Sequence, residues 1–198
     1  MGSLMAKLEK IVRERMRSLE GTAHSFNHVK RVTQIAAFIA EREGADIDLV
    51  QVGALVHDVG WSVGQPHNET GATLANQILK ELGYPNDESA KVVRIVLLHP
   101  LDFRDRLKTL EEKVVWDADK IDLLGAVGVA RGFHWQGKKP FEETVKLAHE
   151  IYTPIYDLLN TSTAKKIAKK RHEETMAFLS ALDHELSLAD LGISQQTT

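Results

Sequence analysis

Apolar residues recur at the spacing of an α-helix along almost the whole chain, whereas strand-like alternation is scarce. In segment 25–44, one histidine and three apolar residues follow at intervals of four, three and four residues: His28, Val32, Ile35 and Ile39. Residues at these intervals share one face of a helix. The sequence therefore predicts an all-α fold of about seven or eight helices, with His28 pointing into the protein.

Capping residues and glycines set the predicted ends of the helices. The predicted segments are roughly 4–19, 25–44, 46–60, 68–82, 84–99, 109–126, 141–159 and 162–186. Thr109 and Glu112 have the spacing of a capping box at the start of the sixth helix. The segment RGFHWQGKKP at 131–140 is predicted to be a loop.

Length and composition favour one domain. The chain has 198 residues, of which 43% are hydrophobic, and this is enough for one substantial core. We expect a single domain over residues 1–198, in which the C-terminal helices at about 141–186 pack on the core. Residues 187–198 are expected to form a tail.

Charge and cysteine content narrow the classes of partner. The formal net charge is −3, so a long nucleic acid is not favoured as a partner, although a small anion can still bind a local basic pocket. The sequence contains no cysteine, which excludes disulfides and thiolate metal sites. No apolar stretch approaches the roughly 20 residues of a membrane span. We expect a cytoplasmic protein without membrane association, and a homo-oligomer stays open.

The dipeptide His57-Asp58 ends an apolar, helix-like run in the sequence GALVHDVGW. His28 lies upstream and Asp119 downstream, each in a similarly patterned segment. Imidazole and carboxylate groups suit divalent transition metals, and two of each leave coordination positions open for water. One cation would also offset the cost of burying these polar groups. The four residues therefore predict a metal site.

The order of these residues, within HSFNHVKRV, LVHDVGW and WDADKID, resembles that of the HD-domain metal-dependent phosphohydrolases. More narrowly, it is similar to the small stand-alone bacterial and archaeal HD hydrolases. The similarity covers about residues 21–150, which would form the domain core, and it implies the HD helical bundle. It also implies one divalent metal (Mn, Fe, Ni, Co, Zn or Mg) bound by the matching residues: His28, His57, Asp58 and Asp119.

Two further histidines match positions that some members of that family use for a second metal or for the substrate phosphate. They are His67, in HNETGA, and His99, in VLLHP. We interpret both first as phosphate contacts, and a second metal at His67 and His99 stays open.

Phosphate chemistry needs an acid and cationic donors besides the metal ligands. Glu69 and Asp122 are the candidate acids for protonating the leaving oxygen. Lys120 and Arg131 lie beside or shortly after Asp119 and are the candidate phosphate donors. Asp58 is expected to orient the attacking water in addition to binding the metal.

The predicted function is hydrolysis of a phosphate ester or phosphoanhydride in a nucleotide or similar small phosphorylated metabolite, by a metal-activated water. A second hypothesis is a noncatalytic sensor that binds a nucleotide or a metal on the same scaffold. A third is an oxygen-activating di-iron enzyme, which would need a complete second set of metal ligands.

Overall fold

The structure is a computed structural model that describes residues 2–137 and 139–192, and within these residues it contains helices and no strand. The described part of the chain forms nine α-helices: α1 (Gly2–Arg15), α2 (Phe26–Glu43), α3 (Ile47–Val56), α4 (His67–Glu81), α5 (Asn86–Leu98), α6 (Leu110–Ile121), α7 (Gly125–Gln136), α8 (Phe141–Leu158) and α9 (Ser162–Leu186). Short 3₁₀ segments follow α1, α3, α5 and α9. The all-α prediction is confirmed.

Local sequence signals explain several of the observed helix ends. Helix α2 lies between Ser25 and Gly44, and Gly44 takes the left-handed conformation that ends many helices. Thr109 and Glu112 form the predicted capping box at the start of α6. Helix α9 has the predicted bounds, and the Thr161 side chain caps its first turn.

Helix α6 runs through the interior of the bundle. Every residue from Val114 to Ile121 is buried, and α6 packs against α2, α3, α5 and α9. A helix that is buried all round brings its polar residues into the core, where they need partners. Asp117 obtains four such bonds, from the backbone and side chains of Asn160 and Thr161 just before α9. These bonds join the start of α9 to the central helix.

The region after α6 differs from the prediction. A single helix was expected over 109–126, followed by a loop at 131–140, but α6 ends at Ile121 and residues 125–136 form the additional helix α7. Glycines at 125, 128 and 132 weaken the helical signal in the sequence. Packing against α8 and α9 forms the helix instead, with Gly132 beside the Tyr152 hydroxyl. The loop prediction is therefore wrong for residues 131–136.

The predicted tail at 187–198 is described only as far as Gly192, and it includes a short 3₁₀ segment at Ala189–Leu191. Residues 193–198 lie outside the described part of the chain. Among the described helices, none combines the length and the apolar character that crossing a bilayer requires.

Candidate metal centre

The four predicted metal ligands converge in the interior of the bundle. His28 lies in the first turn of α2, His57 and Asp58 directly follow α3, and Asp119 lies in the last turn of α6. The Nε2 atom of His28 is 3.4 Å from Asp58 Oδ2 and 3.4 Å from Asp119 Oδ1. The Nε2 atom of His57 is 3.7 Å and 3.8 Å from the same two oxygens. Ligand atoms about 2.1 Å from one tetrahedral ion are roughly 3.4 Å apart, so these separations suit a single cation.

The orientation of His28 is fixed by Asp122 from the opposite side of the imidazole ring. Asp122 Oδ2 lies 2.7 Å from His28 Nδ1, and the same carboxylate accepts hydrogen bonds from Arg31 and Arg131. Burial alone would raise the pKa of Asp122, but its bonds to His28 and Arg31 and the charge of Arg131 lower it. These contacts hold Asp122 as an anion between His28 and the two arginines. Its role as an acid stays a prediction.

His57 has one nitrogen that the described residues leave without a partner. Its Nδ1 donates a hydrogen bond to the carbonyl oxygen of Ala54 across 2.7 Å, whereas Nε2 is buried and has no hydrogen-bond partner among the described residues. Burial lowers the pKa of His57 to about 4, so the ring is neutral at pH 7. A neutral imidazole nitrogen that faces two carboxylates suits a metal ligand, and its backbone-bonded partner nitrogen fixes the tautomer.

The charges of the remaining ligands also suit a cation. Burial opposes the ionisation of Asp58 and Asp119, but the hydrogen bonds of His24 and His28 to Asp58 and the charge of Lys120 beside Asp119 hold both carboxyl pKa values well below their ordinary range. Burial opposes the charge of His28 as well, yet its bonds to surrounding aspartates raise its pKa to about 10. In the metal-free protein a proton on His28 thus balances the carboxylates, and a divalent ion can replace it.

A second group of potential ligands adjoins the first and shares Asp58 with it. Its members are Asp58, His67 and His99. His99 Nε2 lies 3.3 Å from Asp58 Oδ1 and 3.1 Å from His67 Nε2, while its Nδ1 donates to the carbonyl oxygen of Val96. Burial lowers the pKa of His67 to about 4, which keeps this ring neutral as well. The two histidines can face either a phosphate or a second cation.

Sequence reasoning missed His24 and Trp61. His24 Nδ1 lies 2.8 Å from Asp58 Oδ2. The His24 ring stacks on Trp61 with centroids 4.4 Å apart, and Trp61 stacks in turn on His67, also at 4.4 Å. Three flat rings therefore line the Asp58 side of the cluster. His24 lies before Ser25, the N-cap residue of α2, so the helical periodicity of the sequence does not identify it.

Lys120 and Arg131, the predicted phosphate donors, are bonded to groups of the protein. The Lys120 ammonium group is buried and donates to Asp119 and to the carbonyl oxygen of His99. Arg131 donates to Asp122 and to the carbonyl oxygen of Ala23. Both cations therefore already have protein partners.

Glu69 lies on the exposed side of α4, in its first turn. The described structure gives its carboxylate no hydrogen bond or ion pair with the histidine and aspartate cluster. Its role as an acid stays a prediction.

The fold and the cluster together define an all-helical protein with a buried group of histidines and aspartates of the kind that binds a divalent metal. The sequence model of the HD domain matches residues 25–124, a span that contains all four predicted ligands. The chain belongs to the HD domain family.

Related proteins agree with this assignment over most of the chain. The uncharacterized protein YpgQ of Bacillus subtilis is 32% identical over 194 residues, which cover 90% of each chain. The crystal structure of B. subtilis YpgQ in complex with ADP matches at a TM-score of 0.73 and 26% identity, over 91% of this chain and 97% of that one. The crystal structure of an HD-superfamily hydrolase from Bacillus thuringiensis matches at a TM-score of 0.72 and 27% identity, over 92% of this chain and 96% of that one.

Proposed function

We propose that this protein is a metal-dependent phosphohydrolase that cleaves a phosphate ester or phosphoanhydride of a nucleotide or a similar small phosphorylated metabolite. The observation that carries the proposal is the convergence of His28, His57, Asp58 and Asp119, with the buried Nε2 atom of His57 facing two carboxylates. Similarity to an HD-superfamily hydrolase over most of the chain supports the reaction class.

The proposed roles of the residues follow from their contacts. A divalent cation at this place supplies Lewis acidity and lowers the pKa of water toward about 7. His28 and His57 offer neutral nitrogen donors once His28 has lost its proton, and Asp119 offers Oδ1 while Lys120 holds Oδ2. Asp58 faces both ligand groups with its two oxygens, so we assign it to orient the attacking water.

The substrate phosphate is assigned to the side of the cluster where His67 and His99 meet. Their Nε2 atoms point to one place beside Asp58, and the surrounding rings exclude part of the solvent. A second divalent ion among Asp58, His67 and His99 is the alternative for the same place. Metal content per chain separates the two readings, because one ion favours phosphate contacts and two favour the dinuclear site.

Two observations support a nucleotide as the substrate class. A relative of similar length, YpgQ, has been crystallised with ADP. In this chain, the exposed ring of Trp135 lies beside Trp61 with centroids 5.2 Å apart, so an aromatic surface adjoins the cluster. Aromatic side chains stack on nucleobases of any identity.

The test pairs metal analysis with turnover of a panel of nucleotides and sugar phosphates in the presence of Mn²⁺. We expect His57→Ala and Asp119→Ala to lose bound metal and turnover while they keep their helical circular dichroism. His184→Ala serves as the control, because His184 lies exposed near the end of α9. Full turnover by metal-stripped Asp58→Ala protein would refute the mechanism.

The same measurements distinguish the other hypotheses. If the protein binds metal and nucleotide but turns over no member of the panel, the noncatalytic sensor is favoured. Oxygen consumption with two iron ions per chain would favour the di-iron enzyme, whereas one metal ion per chain argues against it.

A further inference from the structure

A pocket between α7 and α8 opens beside the histidine and aspartate cluster. Its apolar walls include Leu123, Leu147, Ala148 and Ile151, and its space is about 90 Å³. Apolar cavities on the order of 150 Å³ hold a benzene ring. The pocket is smaller than such a cavity but open on one side, so it can take one edge of a planar ring while the rest of the ring lies at its mouth. It cannot enclose a long hydrocarbon chain.

His24 joins the pocket to the cluster. Its ring forms part of the pocket wall, and its Nδ1 atom lies 2.8 Å from Asp58 Oδ2. Arg131 lines the pocket too and bonds Asp122, which in turn holds His28. A molecule in the pocket is thus separated from the predicted metal ligands by a single imidazole ring.

The lining of the pocket is suited to an aromatic heterocycle. Trp135 stands at its edge with 41% of its surface exposed, and it meets the His24 ring edge to face with centroids 4.7 Å apart. Gln136 and Thr144 add an amide and a hydroxyl group to the apolar walls. Thr144 is buried, and its only described side-chain bond is a long one of 3.5 Å to a backbone carbonyl. A base offers both the flat face and the polar edge that these groups can contact.

We propose that this pocket receives one edge of the nucleobase, so that Trp135 stacks on the ring at the pocket mouth, Gln136 and Thr144 contact its polar edge, and the phosphates extend past His24 to the cluster. This proposal rests on the proposed function, because it assigns the base of the same nucleotide substrate to a place in the fold. It makes Leu147, Thr144 and Trp135 determinants of substrate specificity.

The test compares binding of ADP with binding of pyrophosphate, which has the same phosphoanhydride and no base. Leu147 is half-buried on the pocket wall, and Leu147→Trp fills the space. We expect calorimetry to show affinity for ADP reduced about tenfold or more, as for other single-side-chain changes in apolar pockets, with affinity for pyrophosphate unchanged. Trp135→Leu, at an exposed position, should lower the affinity for ADP by about fivefold or more, because stacking on the base is lost.

Val127→Trp is the matched control. Val127 is 50% exposed on α7 and does not line the pocket, so the same added indole should leave both affinities unchanged. Octyl phosphate serves as a third ligand, because it replaces the base with a hydrocarbon chain. Its affinity should not depend on Leu147.

Each outcome decides a separate question. Four results would each overturn the base pocket. They are equal ADP affinity in the unmodified protein and Leu147→Trp, equal losses of affinity for ADP and pyrophosphate, no ADP binding at all, and a selective loss of affinity for octyl phosphate. If ADP binding falls selectively in the variants but no phosphorylated compound is turned over, the pocket stands and the hydrolase fails. If nucleotides are turned over with a KM that Leu147→Trp leaves unchanged, the hydrolase stands and the pocket fails.

Discussion

His28 Nδ1 lies 2.7 Å from Asp122 Oδ2, although 94 positions separate the two residues in the sequence. The bond turns the other nitrogen of His28 toward Asp58 and Asp119. Carboxylates that hold a metal-binding histidine in this way fix its orientation and raise its basicity. We therefore propose that Asp122 acts as a positioning residue for the metal site.

Replacement of Asp122 by asparagine should weaken metal binding without removing a ligand. We expect Asp122→Asn to lower Mn²⁺ affinity by about 10- to 100-fold, because His28 loses its ionised partner. Titration calorimetry on folded protein measures the change. Asp102→Asn, at an exposed position in a 3₁₀ segment, should bind as the unmodified protein does. Unchanged affinity in Asp122→Asn would show that His28 does not depend on this contact.

The stability of the metal-free protein should depend on the proton held by His28. Its pKa is about 10 in the folded protein against the ordinary value of 6.5, so the folded state binds this proton more tightly. The resulting stability is fully present below about pH 6.5 and is lost as the pH rises toward 10. Urea unfolding of chelator-treated protein across this range should show the loss. His28→Gln should abolish that part of the pH dependence.

Metal binding should release the same proton. A cation and a proton cannot both occupy His28 Nε2, so binding at pH 7 frees about one proton per site. Calorimetry in two buffers of different ionisation enthalpy measures the number. No proton release would contradict the raised pKa of His28, and affinity that falls with rising pH would contradict the competition.

Lys120 should matter most when the metal is absent. The side chains of Lys120 and Asp119 are only 6% and 11% exposed. Removing one partner of a buried ion pair typically costs about 3–5 kcal/mol, so Lys120→Met should lower the unfolding free energy of the metal-free protein by about that amount. Added Mn²⁺ should narrow the loss, because a cation then faces Asp119. Thermal unfolding with and without metal tests both statements.

The control for Lys120 is an exposed pair of a lysine and a carboxylate. Lys91 Nζ lies 2.7 Å from Glu88, and the two side chains are 57% and 33% exposed. Lys91→Met should leave the unfolding free energy nearly unchanged, with or without metal. Equal costs for the two substitutions would mean that Asp119 does not depend on Lys120.

Periodicity and spacing in the sequence predict the fold class and the residues of the central cluster. The inward face of α2 locates His28, and the end of the apolar α3 segment locates His57 and Asp58, because both signals depend on neighbours within one helix. The residues that hold these ligands in place could not be predicted in this way. Asp122 and Arg31 meet across 91 positions, and no local pattern encodes such a contact.

Helix α7 shows the same limit for secondary structure. Its glycines lower local helix propensity, so the sequence suggested a loop, and packing overrides that preference. The region 131–136 supplies Arg131 to Asp122 and Trp135 to the pocket edge. The part of the site that binds the base in our proposal could therefore not be assigned before the helix was known.

The close approach of α7 and α8 at Gly132 predicts that a substitution that normally stabilises a helix will destabilise this protein. A Cβ atom on Gly132 would lie 1.7 Å from the Tyr152 hydroxyl oxygen, which itself donates a hydrogen bond to the carbonyl oxygen of Gly128. Without that contact, alanine in place of glycine would stabilise a helix by about 1 kcal/mol. We instead expect Gly132→Ala to destabilise the protein by about 1–3 kcal/mol, as overpacking does.

The double variant Gly132→Ala/Tyr152→Phe separates the two effects, because it removes the hydroxyl group that the new methyl group meets. Tyr152→Phe alone should destabilise slightly, through loss of its hydrogen bond. In the double variant, urea unfolding should show part of the stability recovered, so the two costs are not additive. Additive costs, or a stabilising Gly132→Ala, would show that α7 and α8 are not in close contact at this point.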